Sequence, residues 1–523
     1  MSNSKKAIKN GIFSLYAQIV MYILRFFNRR IFVMVLSTEF LGYRGLFGDV
    51  FTLLNVTELG IGSVVIYKLY KELAQENIDR INKLMSIYRF LYHIIGTTIF
   101  LLGVVLSFFL PYIVRGETVS WGYLRVIYFL MLISTVSTYF FAYRNTIYIA
   151  SQNEYKTVNI SVMVNLIFSA VDLIVLIVFK NFIIYLLFDI MKSIVSNYVI
   201  YRKAKKDFPY LDDSYRISYK DIKEERIFFD TKNILFSKIA GTVYRGVDNI
   251  FVSRFFGISN VTIFGNYIQL YSNTRGLTFQ KIISGINPTV ANIMHSNRDL
   301  ESKKLLFKRI DFFNHVISTY FSIGFLLFAH TFISLWMGPN YIFTFQFLAV
   351  YSIYIYIENS NEAVCTFRIP YGEFEFDRKY MALAAIGNIV LSIIFLKIFG
   401  LPGIVLGTIF AFFFIGYGRA KFVYNKVFDM SIIHYIKKHL AFLVDYVIIY
   451  IIVIFLSFKL DDTVGSVLNR LLIYILVPAT YFAIRYFKSA DMKDLLTYLK
   501  STLLQYNRIR KLYMKIFNKQ EDL

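Results

Sequence analysis

Two arginines lie near the middle of long apolar stretches of this chain. Arg25 lies within the stretch Ile12 to Leu36, and Arg245 lies at the matching place within Ile234 to Phe256. A charge at the centre of a bilayer is costly, and such residues usually face a bundle interior or a watery cavity on a substrate or ion path. The two positions, one in each half of the chain, predict a central cationic cavity.

Further arginines could share this role. Arg29 is four residues from Arg25, so both lie on one helical face, where their charges repel unless water or an anion is present. Guanidinium suits a diphosphate because its planar fork can bind two oxygens at once. The predicted diphosphate-binding residues are Arg25, Arg29, Arg30, Arg44, Arg144, Arg245 and Arg275.

Each of these arginines also has a structural interpretation. Arg25 and Arg245 could pair with a carboxylate, and Arg30 could extend its head group to the membrane surface. Arg44, Arg144 and Arg275 lie at or near the ends of apolar stretches, where an interface anchor is the alternative.

Polar residues of the second half could form an ion-coupling site. Asp248 lies one helical turn from Arg245, so either the two form a local ion pair or Asp248 helps to bind a coupling cation, Na⁺ or H⁺. In the second case Asn388 and Thr408 would supply neutral oxygens. The histidines show no metal-ligand spacing, and no phosphate-binding loop or nucleophile elbow occurs. We therefore expect no metal, no other cofactor and no enzymatic activity.

Composition indicates the class of protein. The 523 residues are 57% hydrophobic and only 17% charged, which is typical of a polytopic membrane protein. The net charge of +23 could indicate nucleic-acid binding, but basic loops that orient membrane helices are the favoured explanation. The single cysteine, Cys365, excludes an intramolecular disulfide. A cleaved signal peptide is not expected, because the first apolar stretch is too long for one.

About fourteen apolar stretches have the ~20 residues that a membrane-spanning helix needs. These predicted spans are 12–36, 46–70, 84–110, 122–149, 158–179, 182–201, 234–256, 261–286, 312–336, 343–367, 380–399, 401–424, 440–458 and 467–487. Connections after even-numbered spans are rich in Lys and Arg, and those after odd-numbered spans are short and nearly neutral. This pattern predicts that both termini are cytoplasmic.

The pattern also predicts an all-α fold with two six-helix lobes around a central cavity. The lobes are 1–202 and 233–425, the polar segment 203–232 is a cytoplasmic linker, and 426–488 adds two helices. Residues 489–523 are predicted to form an amphipathic helix on the inner leaflet, with a partner-binding helix as the alternative. A weak internal repeat, in which Arg25 and Gly45 correspond to Arg245 and Gly265, supports two lobes.

One region resembles a known family. The sequence Glu39-Phe-Leu-Gly-Tyr-Arg-Gly-Leu-Phe-Gly-Asp-Val, continuing to Glu58-Leu-Gly-Ile-Gly-Ser63 and Leu69-Tyr-Lys-Glu-Leu73, resembles bacterial polysaccharide flippases. These export O-antigen and capsule repeat units and belong to the multidrug/oligosaccharidyl-lipid/polysaccharide (MOP) exporter superfamily. The resemblance covers the whole chain in layout and is most specific over residues 11–92.

The resemblance implies transport of an undecaprenyl-diphosphate-linked oligosaccharide from the inner to the outer leaflet of a bacterial cytoplasmic membrane by alternating access. It implies that Arg25, Arg29 or Arg30, Arg44 and Arg275 meet the diphosphate, and that polysaccharide polymerase or assembly proteins are partners. Asp248, Asn388 and Thr408 are loose counterparts of a sodium site in some relatives. Two other functions stay open: a cation-coupled multidrug exporter of the same superfamily, and a membrane polysaccharide polymerase or ligase.

Overall fold

Most of the residues that the structure describes are helical. The computed structural model describes residues 3–55, 61–116, 119–212, 214–225, 239–244, 246–296, 299–371, 376, 378–460, 464–489, 492–494 and 497. Sixteen longer helices lie within these residues: α1 Asn3–Val35, α2 Thr38–Leu54, α3 Ile61–Ala74, α4 Ile78–Ser107, α5 Trp121–Phe141, α6 Glu154–Phe179, α7 Phe182–Asp207, α8 Asp248–Phe256, α9 Ile258–Leu277, α10 Phe279–His295, α11 Leu300–Trp336, α12 Phe345–Ser360, α13 Arg378–Phe399, α14 Leu401–Lys421, α15 Ile432–Ser457 and α16 Val467–Tyr486.

Short polar connections separate the apolar helices. The side chain of Asn181 accepts hydrogen bonds from the backbone N–H groups of Ile183 and Ile184 and so caps the start of α7. Lys180, just before it, ends α6 in the left-handed conformation with a φ of 46°. Such local caps satisfy backbone groups that a helix end leaves without partners. They allow α6 and α7 to be joined by only two residues.

Nine helices within the described residues are long and apolar enough to cross a membrane. The described residues contain no strand. The prediction of an all-α polytopic membrane protein is therefore confirmed, and about fourteen spanning helices are consistent with the observed helix order.

Several predicted spans do not coincide with single helices. The span 46–70 contains the end of α2 at Leu54 and the start of α3 at Ile61, and the span 343–367 is interrupted at Asn361, where α12 gives way to the short helix Glu362–Arg368. The span 261–286 is divided at Thr278, where α9 ends and α10 begins. Gly276 and the β-branched Thr278 are both weak helix formers, which favours a break at this place. The span 122–149 is also divided, because a 3₁₀ turn at Ala142–Arg144 follows α5 and the short helix Asn145–Ala150 follows the turn.

The polar segments are described only in part. Within the predicted linker, α7 continues to Asp207, and the short helix Tyr219–Glu224 begins with a capping box between Ser218 and Asp221. Lys83 Nζ lies 2.6 Å from Asp221 Oδ1, and this contact and the capping bonds lower the pKa of Asp221 to about 2. Most of the predicted amphipathic tail, including residues 498–523, lies outside the described residues.

The chain divides into two compact units. The first contains Met1–Leu277, Leu335–Phe343 and Phe374–Ala411, and therefore includes α1–α9 and α13. In this unit α1 packs against α6, and α2 packs against α9. The predicted lobe boundaries stay a prediction.

The second unit contains Thr278–Ser334, Thr344–Glu373 and Phe412–Leu523. Its helices are joined by buried polar contacts. Asp311 of α11 is fully buried, and Lys438 Nζ of α15 lies 3.3 Å from its Oδ2. Asn314, one turn further along α11, donates to the carbonyl oxygens of Asn359 and Ser360 at 3.0 and 2.9 Å. These bonds satisfy carbonyl groups at the end of α12.

Candidate substrate-binding cavity

The first unit contains a polar cavity of about 410 Å³. Six helices, α1, α2, α6, α7, α8 and α9, contribute to its walls. The lining residues are Met21, Leu24, Arg25, Asn28, Arg29, Phe32, Leu41, Arg44, Gly45, Asn165, Ser169, Asp172, Tyr185, Lys192, Asn249, Val261, Gly265 and Gln269. Three of the seven predicted arginines, on two different helices, therefore lie at one cavity.

Arg29 is held in a fixed position by α9. Its Nε donates to Asn266 Oδ1 at 2.8 Å, and its Nη2 donates to the carbonyl oxygen of Thr262 at 2.7 Å. Both acceptors are uncharged, so they orient the guanidinium without neutralising it. The absence of a side chain at Gly265 makes room for this arrangement, because a Cβ there would lie 2.8 Å from Arg29 Nη2.

Arg25 and Arg29 carry uncompensated charge. Arg25 lies one helical turn from Arg29 on the cavity side of α1, and its side chain is exposed. Neither arginine forms an ion pair with any residue that the structure describes. Because like charges repel strongly where water is scarce, this pair favours an anionic ligand.

The other two cations at the cavity, Arg44 and Lys192, are paired with carboxylates. Arg44 donates to the hydroxyl of Tyr185 and lies 3.5 Å from Asp189 Oδ1. Lys192, three residues further along α7, donates to the same carboxylate oxygen. Lys192 also lies 3.8 Å from Asp172 Oδ2. Two cations and two carboxylates thus form a cluster without net charge.

The charge balance of the cavity follows from these contacts. The positive charges of Arg44 and Lys192 are cancelled by the negative charges of Asp172 and Asp189. The two arginines of α1 then leave a formal excess of two positive charges. A diester of diphosphate carries two negative charges. The cavity is therefore matched in charge to a diphosphate headgroup.

Four predicted arginines are not among the lining residues. Arg30 is exposed and donates to the carbonyl oxygen of Leu335 at 2.9 Å. Arg144 is buried, and its guanidinium lies 4.4 Å from the ring centroid of Tyr201, in cation–π contact. Arg275 is half-buried near the end of α9. Arg245 lies outside the described residues.

The predicted ion-coupling residues come together in the first unit. Thr408 Oγ1 donates toward both carboxylate oxygens of Asp248 at 3.4 Å. Asn388 Nδ2 lies 3.3 Å from Thr408 Oγ1 and 2.9 Å from the carbonyl oxygen of Tyr244. Residues from α8, α13 and α14 thus form a small polar cluster. The described residues contain no group of three or more His, Cys, Asp or Glu side chains that could hold a metal ion.

Sequence reasoning did not place several polar residues at the cavity. Asp172 is almost fully buried on α6, and Asn28 Nδ2 of α1 donates to Ser169 Oγ at 3.1 Å across to α6. On the other side, Asn249 Nδ2 donates to Asp49 Oδ2 at 2.6 Å. Their occurrence in apolar stretches was a usable signal, but no sequence pattern shows which of them share a cavity.

The cavity lies in the part of the chain that matches a known protein family. The family described as "Polysaccharide biosynthesis protein" matches residues 7–294, which is more than half of the chain. The chain belongs to this polysaccharide biosynthesis protein family. Every residue that lines the cavity falls within the matched range. No curated protein matches the chain.

Solved structures show which fold this family member has. A structure described as the lipid II flippase MurJ in an inward closed conformation is 16% identical, with a TM-score of 0.65, over 92% of this chain and 99% of that one. An inward-facing multidrug resistance MATE transporter of the MOP superfamily is 15% identical, with a TM-score of 0.61, over 77% and 94%. The family member therefore has the fold of the MOP superfamily.

Proposed function

We propose that this protein is a flippase that moves an undecaprenyl-diphosphate-linked oligosaccharide repeat unit from the inner to the outer leaflet of a bacterial cytoplasmic membrane. The observation that carries the proposal is the grouping of Arg25, Arg29 and Arg44 at one cavity. Membership of the polysaccharide biosynthesis protein family supports a saccharide substrate. The fold shared with a lipid II flippase supports a lipid-linked one.

The cavity would hold the headgroup and not the lipid tail. Arg25 and Arg29 offer guanidinium groups whose planar forks can bind phosphate oxygens in pairs. The lipid chain would remain in the bilayer while the saccharide crosses through the protein by alternating access. In this arrangement both termini are cytoplasmic, and the exported unit passes to polysaccharide polymerase or assembly proteins.

We also propose that cation binding at Asp248 supplies the energy for transport. The carboxylate lies 3.4 Å from the neutral hydroxyl oxygen of Thr408, and this pair of oxygen groups suits Na⁺ or H⁺. Asn388 turns its amide nitrogen toward Thr408 and so orients the hydroxyl instead of supplying an oxygen. The cluster joins α8 to α13 and α14. A cation that binds there could change how these helices pack and so bias the protein toward one conformation.

A cation-coupled multidrug exporter is the second candidate function, and the fold shared with a MATE transporter supports it. The cavity argues against cationic drugs, because it has an excess of positive charge. Expression in a drug-sensitive host discriminates between the two. Transferred drug resistance would favour the exporter, and unchanged sensitivity is expected for the flippase.

A deletion strain tests the flippase function. Arg25→Ala should abolish surface polysaccharide and cause a lipid-linked oligosaccharide to accumulate, because the diphosphate loses one of its two uncompensated cations. Arg30→Ala is the matched control, since Arg30 is on the same helix but contacts Leu335 instead of lining the cavity. Immunoblots of membranes verify equal protein levels. Wild-type polysaccharide in the Arg25→Ala strain would contradict the proposal.

A further inference from the structure

Three buried polar atoms of residues that line the cavity have no hydrogen-bond partner in the part of the chain that the structure describes. They are the Oδ1 atoms of Asp172 and Asn249 and the Nε2 atom of Gln269. Asp172 is 3% exposed and Asn249 is 7% exposed. A buried polar group without a hydrogen bond is unfavourable, because its bonds to water are lost and not replaced. Three such groups at one cavity point to a ligand that satisfies them.

The chemistry of these atoms defines the ligand. Asp172 Oδ1 and Asn249 Oδ1 accept hydrogen bonds, and Gln269 Nε2 donates. A carboxylate repels phosphate, so Asp172 cannot serve the diphosphate. Lys192 does not occupy the free atom either, because it lies 3.8 Å from the other oxygen, Oδ2, and donates to Asp189.

Sugar hydroxyl and acetamido groups are both donors and acceptors, and they match this set. We propose that Asp172, Asn249 and Gln269 form a saccharide subsite that binds the sugar attached to the diphosphate. The three residues lie on α6, α8 and α9, so the sugar is held from more than one wall. The inference rests on the proposed function, because it takes the diphosphate to be bound by Arg25 and Arg29 of the same cavity.

Binding measurements on the full-length protein in lipid nanodiscs test the subsite. The probes are the methyl diester of geranylgeranyl diphosphate, here called the bare diphosphate, and the same lipid diphosphate carrying glucose, galactose, N-acetylglucosamine or N-acetylgalactosamine. All of these probes are diesters with two negative charges, so they differ only in the sugar. The measured ratio is the dissociation constant of the bare diphosphate divided by that of a sugar-bearing probe, so a large ratio means that the sugar strengthens binding. The wild-type protein should bind at least one sugar-bearing probe roughly ten-fold or more tightly than the bare diphosphate, as expected for a hydrogen bond to a charged group.

Asp172→Asn should reduce this ratio to near one while the bare diphosphate binds at least as tightly as before, because a negative charge has been removed. Asp172→Glu keeps the charge beside Lys192 but moves the oxygens, and should also reduce the ratio. Gln269→Leu should reduce it too, because this change removes the hydrogen-bond donor that α9 contributes. Asp189→Asn is the matched control, since it removes the same charge from a residue that is not among those lining the cavity, and it should keep the ratio.

Several results would overturn the subsite. One is a wild-type protein that prefers none of the four sugars, and another is an Asp172→Asn variant that keeps the preference. A third is Na⁺ binding, measured with choline as the replacement cation, that Asp172→Asn abolishes while the sugar ratio is unchanged. Failure of the proposed function has a different signature: the bare diphosphate would not bind to the wild-type protein at all.

Discussion

Arg29 offers a quantitative test because its protein contacts and its proposed ligand contacts can be separated. Two of its donors bind Asn266 and Thr262, and the remaining N–H groups are available to a phosphate. Arg29→Ala should weaken binding of the bare diphosphate by ~10- to 100-fold, since a hydrogen bond to a charged group contributes about 1.5–3 kcal/mol.

The same change should lower stability. Asn266 is fully buried, and its Oδ1 would lose its partner at a cost of about 1–3 kcal/mol. Asn266→Ala separates the two effects, because it breaks the same hydrogen bond but keeps the guanidinium at the cavity. Titration in nanodiscs and thermal unfolding of the same samples measure binding and stability.

The expected result is that both variants unfold at lower temperature, but only Arg29→Ala loses affinity by ten-fold or more. Gly265→Ala should fall between them, because a Cβ at 2.8 Å from Arg29 Nη2 displaces the charge without removing it. If Asn266→Ala weakens binding as much as Arg29→Ala, the arginine serves only to join α1 and α9, and the reasoning is refuted.

Three further predictions concern other parts of the chain. Thr408→Val removes the hydroxyl beside Asp248 at nearly constant volume and should reduce the cation dependence of transport, measured with Na⁺ and pH gradients; an unchanged dependence would count against the coupling site. Gly403→Ala should lower the unfolding temperature and the yield of folded protein, because its Cβ would lie 2.2 Å from the carbonyl oxygen of Phe395; wild-type stability would contradict the close approach. Asp311→Asn should destabilise the protein by about 3–5 kcal/mol, as expected when a buried ion pair loses one partner, and denaturant unfolding measures the change.

The helical fold could be predicted from the sequence because apolar stretches of spanning length have few structural alternatives in a bilayer. The places where helices break were harder to predict. The stretch through Thr278 is apolar on both sides, so hydropathy alone does not show that α9 ends there.

The site could be predicted in part. Arg25 and Arg29 were identifiable because a charge at membrane depth needs a polar environment. Arg144, near the end of a predicted span, was also a candidate, yet it stacks on Tyr201, a residue 57 positions away, and such a contact depends on tertiary packing. The free oxygen of Asp172 could not be predicted either, because it depends on how α6 packs against α7, where Lys192 makes its shorter contact with Asp189 of its own helix.

Transfer of a lipid-linked oligosaccharide across reconstituted vesicles tests the central claim most directly. Proteoliposomes containing the wild-type protein should move a fluorescent undecaprenyl-diphosphate-linked saccharide between leaflets, and those containing the Arg25→Ala/Arg29→Ala double variant should do so at least ten-fold more slowly, near the rate of empty vesicles. Equal transfer by the wild-type protein and a correctly folded double variant would contradict the account.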